Sequence, residues 1–112
     1  MNELCKQEIL ELTELLRYDE EWEDLRDILT KKGFALSQIA LVSFMEDEEE
    51  NEYGVIVTKD MRVTEYSRST QNGNNNVDSF KIKDITTAKD EIDKYPQIDV
   101  AINMIKNQEI LS

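Results

Sequence analysis

Histidine is missing from this 112-residue chain, and its absence removes both the commonest general base at neutral pH and the commonest zinc ligand. Cysteine occurs once, as Cys5, so no internal disulfide can form. The three glycines, Gly33, Gly54 and Gly73, stand too far apart to make a phosphate-cradling loop, which argues against a nucleotide enzyme. Cations are scarce: 13 Lys and Arg face 25 Asp and Glu, a net charge of -12. Direct binding of nucleic acid is therefore not expected, because phosphates are held by clustered cations. No run of about 18 apolar residues occurs, and no basic segment leads into a short apolar one at the start, so neither a membrane span nor a secretory leader is expected. A lone cysteine suits a reducing compartment, and the cytoplasm is the expected location.

What is present is patterned as a folded domain. At 39% hydrophobic residues the chain is only moderately apolar, but those residues recur at regular spacings. Cys5, Ile9, Leu12 and Leu16, with Leu15 beside them, fall at helical spacing over residues 3–16. A second helix is predicted from Asp19, whose carboxylate can cap the first turn, with Glu20 and Glu21 at the positive end of the helix dipole. Trp22, Leu25, Ile28 and Leu29 supply its apolar face, which assigns Trp22 to the core. Lys31 and Lys32 suit the negative end, and Gly33 can take the left-handed conformation that stops the helix.

Beyond Gly33 the period changes. Residues 39–45 form a short apolar run of strand formers, and residues 46–52, with six carboxylates in seven positions, read as a solvated hairpin loop. Residues 53–58 are a strand with Tyr53, Val55 and Val57 on one face and Ile56 on the other. Lys59 and Asp60 turn the chain into a third strand over 62–68, where Val63 faces away from Arg62, Thr64, Tyr66 and Arg68. The Gly- and Asn-rich stretch 71–76 is a loop. In a fourth strand Phe80 and Ile82 share one face and Lys81 and Lys83 the other. Thr87 and Asp90 suggest a capping box before a short helix, Pro96 opens a new segment, and Ile98, Ala101, Ile102 and Ile105, with Met104, follow helical spacing. The prediction is a single α+β domain: two N-terminal helices, an antiparallel four-stranded meander, and one or two C-terminal helices, packed on one face of the sheet.

Little in this inventory suggests catalysis. Cys5 sits on an apolar stripe with no histidine to activate it, and reads as a buried small residue. Carboxylate pairs are so abundant that any spacing arises by chance, and 112 residues leave little room for a sugar cleft. The acidic run 46–52 lacks the alternating ligands and the glycine of an EF-hand loop, so specific calcium binding is not expected. No catalytic residue, cofactor or metal ligand is assigned, and the chain is expected not to be an enzyme.

Charge distribution says more than its total. Residues 1–52 hold 16 acidic and 5 basic side chains, whereas residues 53–112 hold 9 and 8. Two segments concentrate the field. One is Asp19, Glu20, Glu21, Glu23, Asp24 and Asp27, with Arg26 as its one cation; the other is Glu46, Asp47, Glu48, Glu49, Glu50 and Glu52, with none. If both meet on one surface, they would speed association with a basic partner by one to three orders of magnitude. Tyr18 or Tyr53 would supply an aromatic anchor beside them.

The helical lead-in, the strand sequences of residues 39–45, 53–58 and 62–66, and the concentrated negative charge together resemble the small acidic immunity proteins that accompany bacterial polymorphic toxins, including contact-dependent growth inhibition systems. That resemblance implies a cytoplasmic protein that binds one cognate toxin, basic and of the nuclease type, and neutralises it. The same acidity suits a nucleic-acid mimic that inhibits a DNA-binding enzyme. A third expectation is a homo-oligomeric scaffold, for which Val63 to Ser69 would be the exposed edge strand with Arg62 and Arg68 as guards.

Overall fold

The computed structural model describes residues 2–69 and 80–111, so the expected loop at 71–76 lies outside the described residues. Helix α1 (Asn2–Tyr18) leads through a single 3-10 turn (Glu20–Trp22) into α2 (Glu23–Lys31). Strands β1 (Ile39–Glu46), β2 (Asn51–Thr58), β3 (Val63–Ser69) and β4 (Lys81–Asp84) form an antiparallel sheet in the order β1-β2-β3-β4. A one-turn helix α3 (Lys89–Ile92) and then α4 (Gln97–Lys106) follow. The protein is thus α+β, with the expected element order.

The helix boundaries follow local chemistry. Asp19 does cap, but it caps the 3-10 turn: its Oδ1 accepts the Glu21 N–H at 2.9 Å, and α2 begins only at Glu23. Arg26 reaches back, donating from Nη1 to the carbonyls of Leu16 at 3.0 Å and Asp19 at 2.6 Å, so the α1 C-terminus and the turn are tied to α2. Gly33 has φ of 95°, the left-handed geometry that ends α2. Pro96 stands immediately before α4, where its missing N–H costs nothing. The expected capping box does not form: α3 starts at Lys89 with no side-chain cap, and Thr87 is exposed. Its neighbour Thr86 is the residue engaged instead, accepting the Val63 N–H on Oγ1 at 2.8 Å and so closing the start of β3.

Alternation along the strands sorts the core into two clusters on opposite faces of the sheet. Ile39, Leu41, Ile56 and Tyr66 join Leu25, Ile28 and Leu29 of α2, with Leu16 and Phe80. Ala40, Val42, Val55, Val57 and Val63 join Ile98, Ala101, Met104 and Ile105 of α4, with Ile9, Ile85, Ile110 and Leu111. The helices therefore divide between the two faces rather than sharing one, and residues 39–42 are buried on both sides, which explains their unbroken apolar run. Helix α1 contributes to both clusters because it lies along the outer edge of β1. There Thr13 is buried, and its Oγ1 accepts the Leu41 N–H at 3.0 Å, next to a register shift between Leu41 and Ser43. A helix that covers an edge and satisfies its N–H removes that edge as a pairing template.

β3 is consequently an inner strand, and the expectation that Val63–Ser69 forms an exposed edge is incorrect: β2 pairs with one side of it and β4 with the other over Thr64 to Ser67. Among the described residues the edge of the sheet is β4, which is short, exposed throughout and carries Lys81 and Lys83.

A candidate partner-binding surface

The hairpin that joins β1 to β2 is tighter than the acidic run suggested. Its turn is residues 47–50 alone, and Asp47 builds it. Asp47 Oδ1 accepts the N–H groups of Glu49 and Asn51, both at 2.9 Å, while Oδ2 accepts Asn51 Nδ2–H and the Tyr53 hydroxyl, both at 3.2 Å. Glu50 takes the left-handed φ of 62° that lets the chain return. These hydrogen bonds, the Asn51 N–H foremost, hold the Asp47 carboxyl below its usual range, and the bond to Asp47 holds the Tyr53 phenol above its own. Asp47 is thus a structural residue of the turn, and Glu48, Glu49 and Glu50 form the exposed tip.

Glu52 corrects the sequence reading most sharply. It was expected on a solvated loop as part of the binding surface, but it lies inside β2 and is 4% exposed. Register places it opposite Arg68, whose Nε and Nη2 donate to the two carboxylate oxygens at 3.0 Å each, a bidentate bridge. Tyr66 donates its hydroxyl to Glu52 Oε2 at 2.9 Å and stacks on Phe80 with ring centroids 5.4 Å apart. Burial, reinforced by the Glu52 carboxylate, holds the Tyr66 phenol far above its ordinary value. The ring lies over Gly54: a Cβ there would clash with the Tyr66 ring, which only glycine avoids without displacing it. Arg68 is no edge guard: with Glu52 it forms a buried cross-strand pair. The signal available in the sequence was Arg68 itself, a cation at the close of a strand whose register brings it back to the acidic run.

The two acidic segments do meet. Glu21 of the 3-10 turn and Glu46 at the end of β1 line one cleft of about 140 Å³, together with Trp22, Leu25, Phe44, Glu52 and Arg68. Trp22 is half-buried, not fully in the core, and packs on Phe44 with ring centroids 4.6 Å apart at 42°. Glu20, Glu23, Asp24 and Asp27 are exposed along the same helical segment, and Asp19 is half-buried as its cap. The two expected anchors stand elsewhere. Tyr18, 75% exposed, lines a groove on the outer side of α1 with Glu11, Glu14, Leu15 and Asp19. Tyr53 lies on the opposite sheet face from Glu46 and Glu52, where it borders Ser67 and Lys81. Cys5 is half-buried against the α4-side cluster, its thiol pushed up first by burial and then by Glu8.

Among the described residues, no cluster of three His, Cys, Asp or Glu side chains could hold a metal ion, and no helix is long and apolar enough to cross a membrane. Compared with family models, curated proteins and solved structures, the chain matches none.

Proposed function

We propose that this protein is an inhibitor of the immunity type, which binds a basic protein toxin and blocks it by covering its active-site surface. The observation that carries this reading is the shared cleft: Glu21 and Glu46, from acidic runs separated by residues 28–45, line one depression. Like charges gathered there repel one another, and a basic partner relieves that repulsion while being steered to the surface by its field. The recognition set is Glu20, Glu21, Glu23, Asp24 and Asp27 with Glu46, Glu48, Glu49 and Glu50. Asp19, Asp47 and Glu52 serve by shaping the cap, the turn and the strand. A scaffold reading finds less support, because the edge at β4 bears two lysines, a pattern that blunts strand addition.

Co-expression with the protein encoded immediately upstream, followed by pull-down and a growth assay, tests the reading. Rescue of growth with recovery of a complex is expected. A soluble, folded protein that neither binds nor rescues would refute it.

A further inference from the structure

The sheet face turned towards α2 ends in an unbalanced row of charges. Glu46 is registered opposite Glu52, and Glu52 opposite Arg68. Side chains directly opposite in an antiparallel pair have Cβ atoms about 4.5–5.5 Å apart, and like charges so placed repel. Arg68 is committed to Glu52 through both Nε and Nη2, so the row holds two carboxylates and one guanidinium that is already engaged. The same cleft is lined by the indole of Trp22, which packs on the ring of Phe44, and by Leu25 and Glu21.

We infer that this cleft receives an arginine side chain of the protein partner, with the guanidinium against the Trp22 indole and its N–H groups donating to Glu46 and Glu21. The inference rests on the reading of the acidic surface as a partner-binding one and adds the anchor residue. Arginine fits better than lysine for three reasons. Its planar head stacks on an aromatic ring, it is less strongly hydrated than an ammonium, and its fork can address two carboxylates at once. Its methylene stem suits the apolar wall of Leu25 and Phe44. A cleft of about 140 Å³ has room for a side chain. An arginine seated in an aromatic pocket ringed by weaker contacts is also the usual form of an interface hot spot.

The chain has a single tryptophan, so the Trp22 indole N–H gives one resonance on which to follow binding. Isotope-labelled protein is titrated with Nα-acetyl-arginine amide. A saturable shift is expected, with a dissociation constant on the order of 1 mM, the weak affinity proper to so small a ligand. Glu46→Gln and Glu21→Gln should each weaken binding by about fivefold, while Glu8→Gln, on the exposed side of α1, leaves it unchanged. Nα-acetyl-lysine amide should bind more weakly, and Nα-acetyl-citrulline amide, of the same shape without the charge, should give no saturable shift. A linear shift, a shift indifferent to Glu46→Gln, or an equal response to citrulline overturns the assignment. The probe requires no toxin, so the two readings fail separately. Growth rescue by a protein whose cleft ignores arginine refutes the anchor alone, whereas saturable arginine binding by a protein that rescues nothing refutes the toxin reading alone.

Discussion

Replacing Arg68 with methionine tests the buried pair on which the hairpin end of the sheet depends. The substitution keeps an unbranched apolar stem but removes the guanidinium. Glu52 is then left with the Tyr66 hydroxyl as its one remaining hydrogen-bond donor among those described. The side chains of Arg68 and Glu52 are 10% and 5% exposed, so solvent screens the pair only weakly. Breaking a buried pair on one side costs about 3–5 kcal/mol. For 112 residues at roughly 0.05–0.15 kcal/mol each, total stability is on the order of 6–17 kcal/mol, so the loss is a large fraction of the whole. In melting temperature it corresponds to a fall of roughly 12–20 °C. Urea denaturation read by Trp22 fluorescence should show a lower midpoint with an unchanged slope. Replacing both partners, as Glu52→Leu with Arg68→Met, should recover much of the loss, because no unpaired charge then remains. A cost below about 1 kcal/mol for Arg68→Met would put the bridge in the class of surface ion pairs and refute the reasoning.

Other perturbations bear on the remaining parts. Gly54→Ala forces the Tyr66 ring aside and should cost about 1–3 kcal/mol or more in the same denaturation assay; a neutral result would mean that the ring does not lie over the glycine. Thr13→Val keeps the shape but leaves the Leu41 N–H buried without its acceptor, for an expected loss of about 1–3 kcal/mol; amide exchange at Leu41 should accelerate, and unchanged protection would count against the covered edge. The folded-state value of Tyr66 is raised, so its stabilising contribution is complete below the unfolded phenol value near 10 and is lost as pH rises above it. Stability should fall there by about 1.4 kcal/mol per pH unit, and a Tyr66→Phe protein should lack that component of the slope. Converting Glu48, Glu49 and Glu50 to glutamine should slow association with a basic partner by about tenfold at low salt and flatten its salt dependence; an unaltered rate constant in stopped-flow would remove the hairpin tip from the recognition surface.

Much of the fold was legible because periodicity reports burial. The stripe of α1, the apolar face of α2, the alternation in β2 and the punctuation at Gly33 and Pro96 all mark the structure's own boundaries. What escaped was set by register, which a single strand's pattern does not carry. Glu46 and Glu52 read as loop because their charge hides the alternation that continues through them, and only the pairing of Glu52 with Arg68 shows that the strands extend by one turn of the pleat. The same blindness put β3 at the edge and all helices on one face, since neither neighbour order nor the side taken by a connection is written in local spacing. Of the candidate surface, the two acidic segments were visible as composition. Their meeting at Glu21 and Glu46 was not, because it depends on the 3-10 turn packing Trp22 onto Phe44 of β1.

The two core clusters also differ in when they can close. Every residue of the α2-side cluster has been synthesised once Phe80 is made, so that layer can condense early on a growing chain. The α4-side cluster joins Ile9 to Ile98, Ile105 and Leu111, and it waits for nearly the last residues to emerge. Until then Val42, Val55, Val57 and Val63 present an apolar surface to solvent or to a chaperone. The nascent protein is therefore most vulnerable on the face away from its acidic cleft.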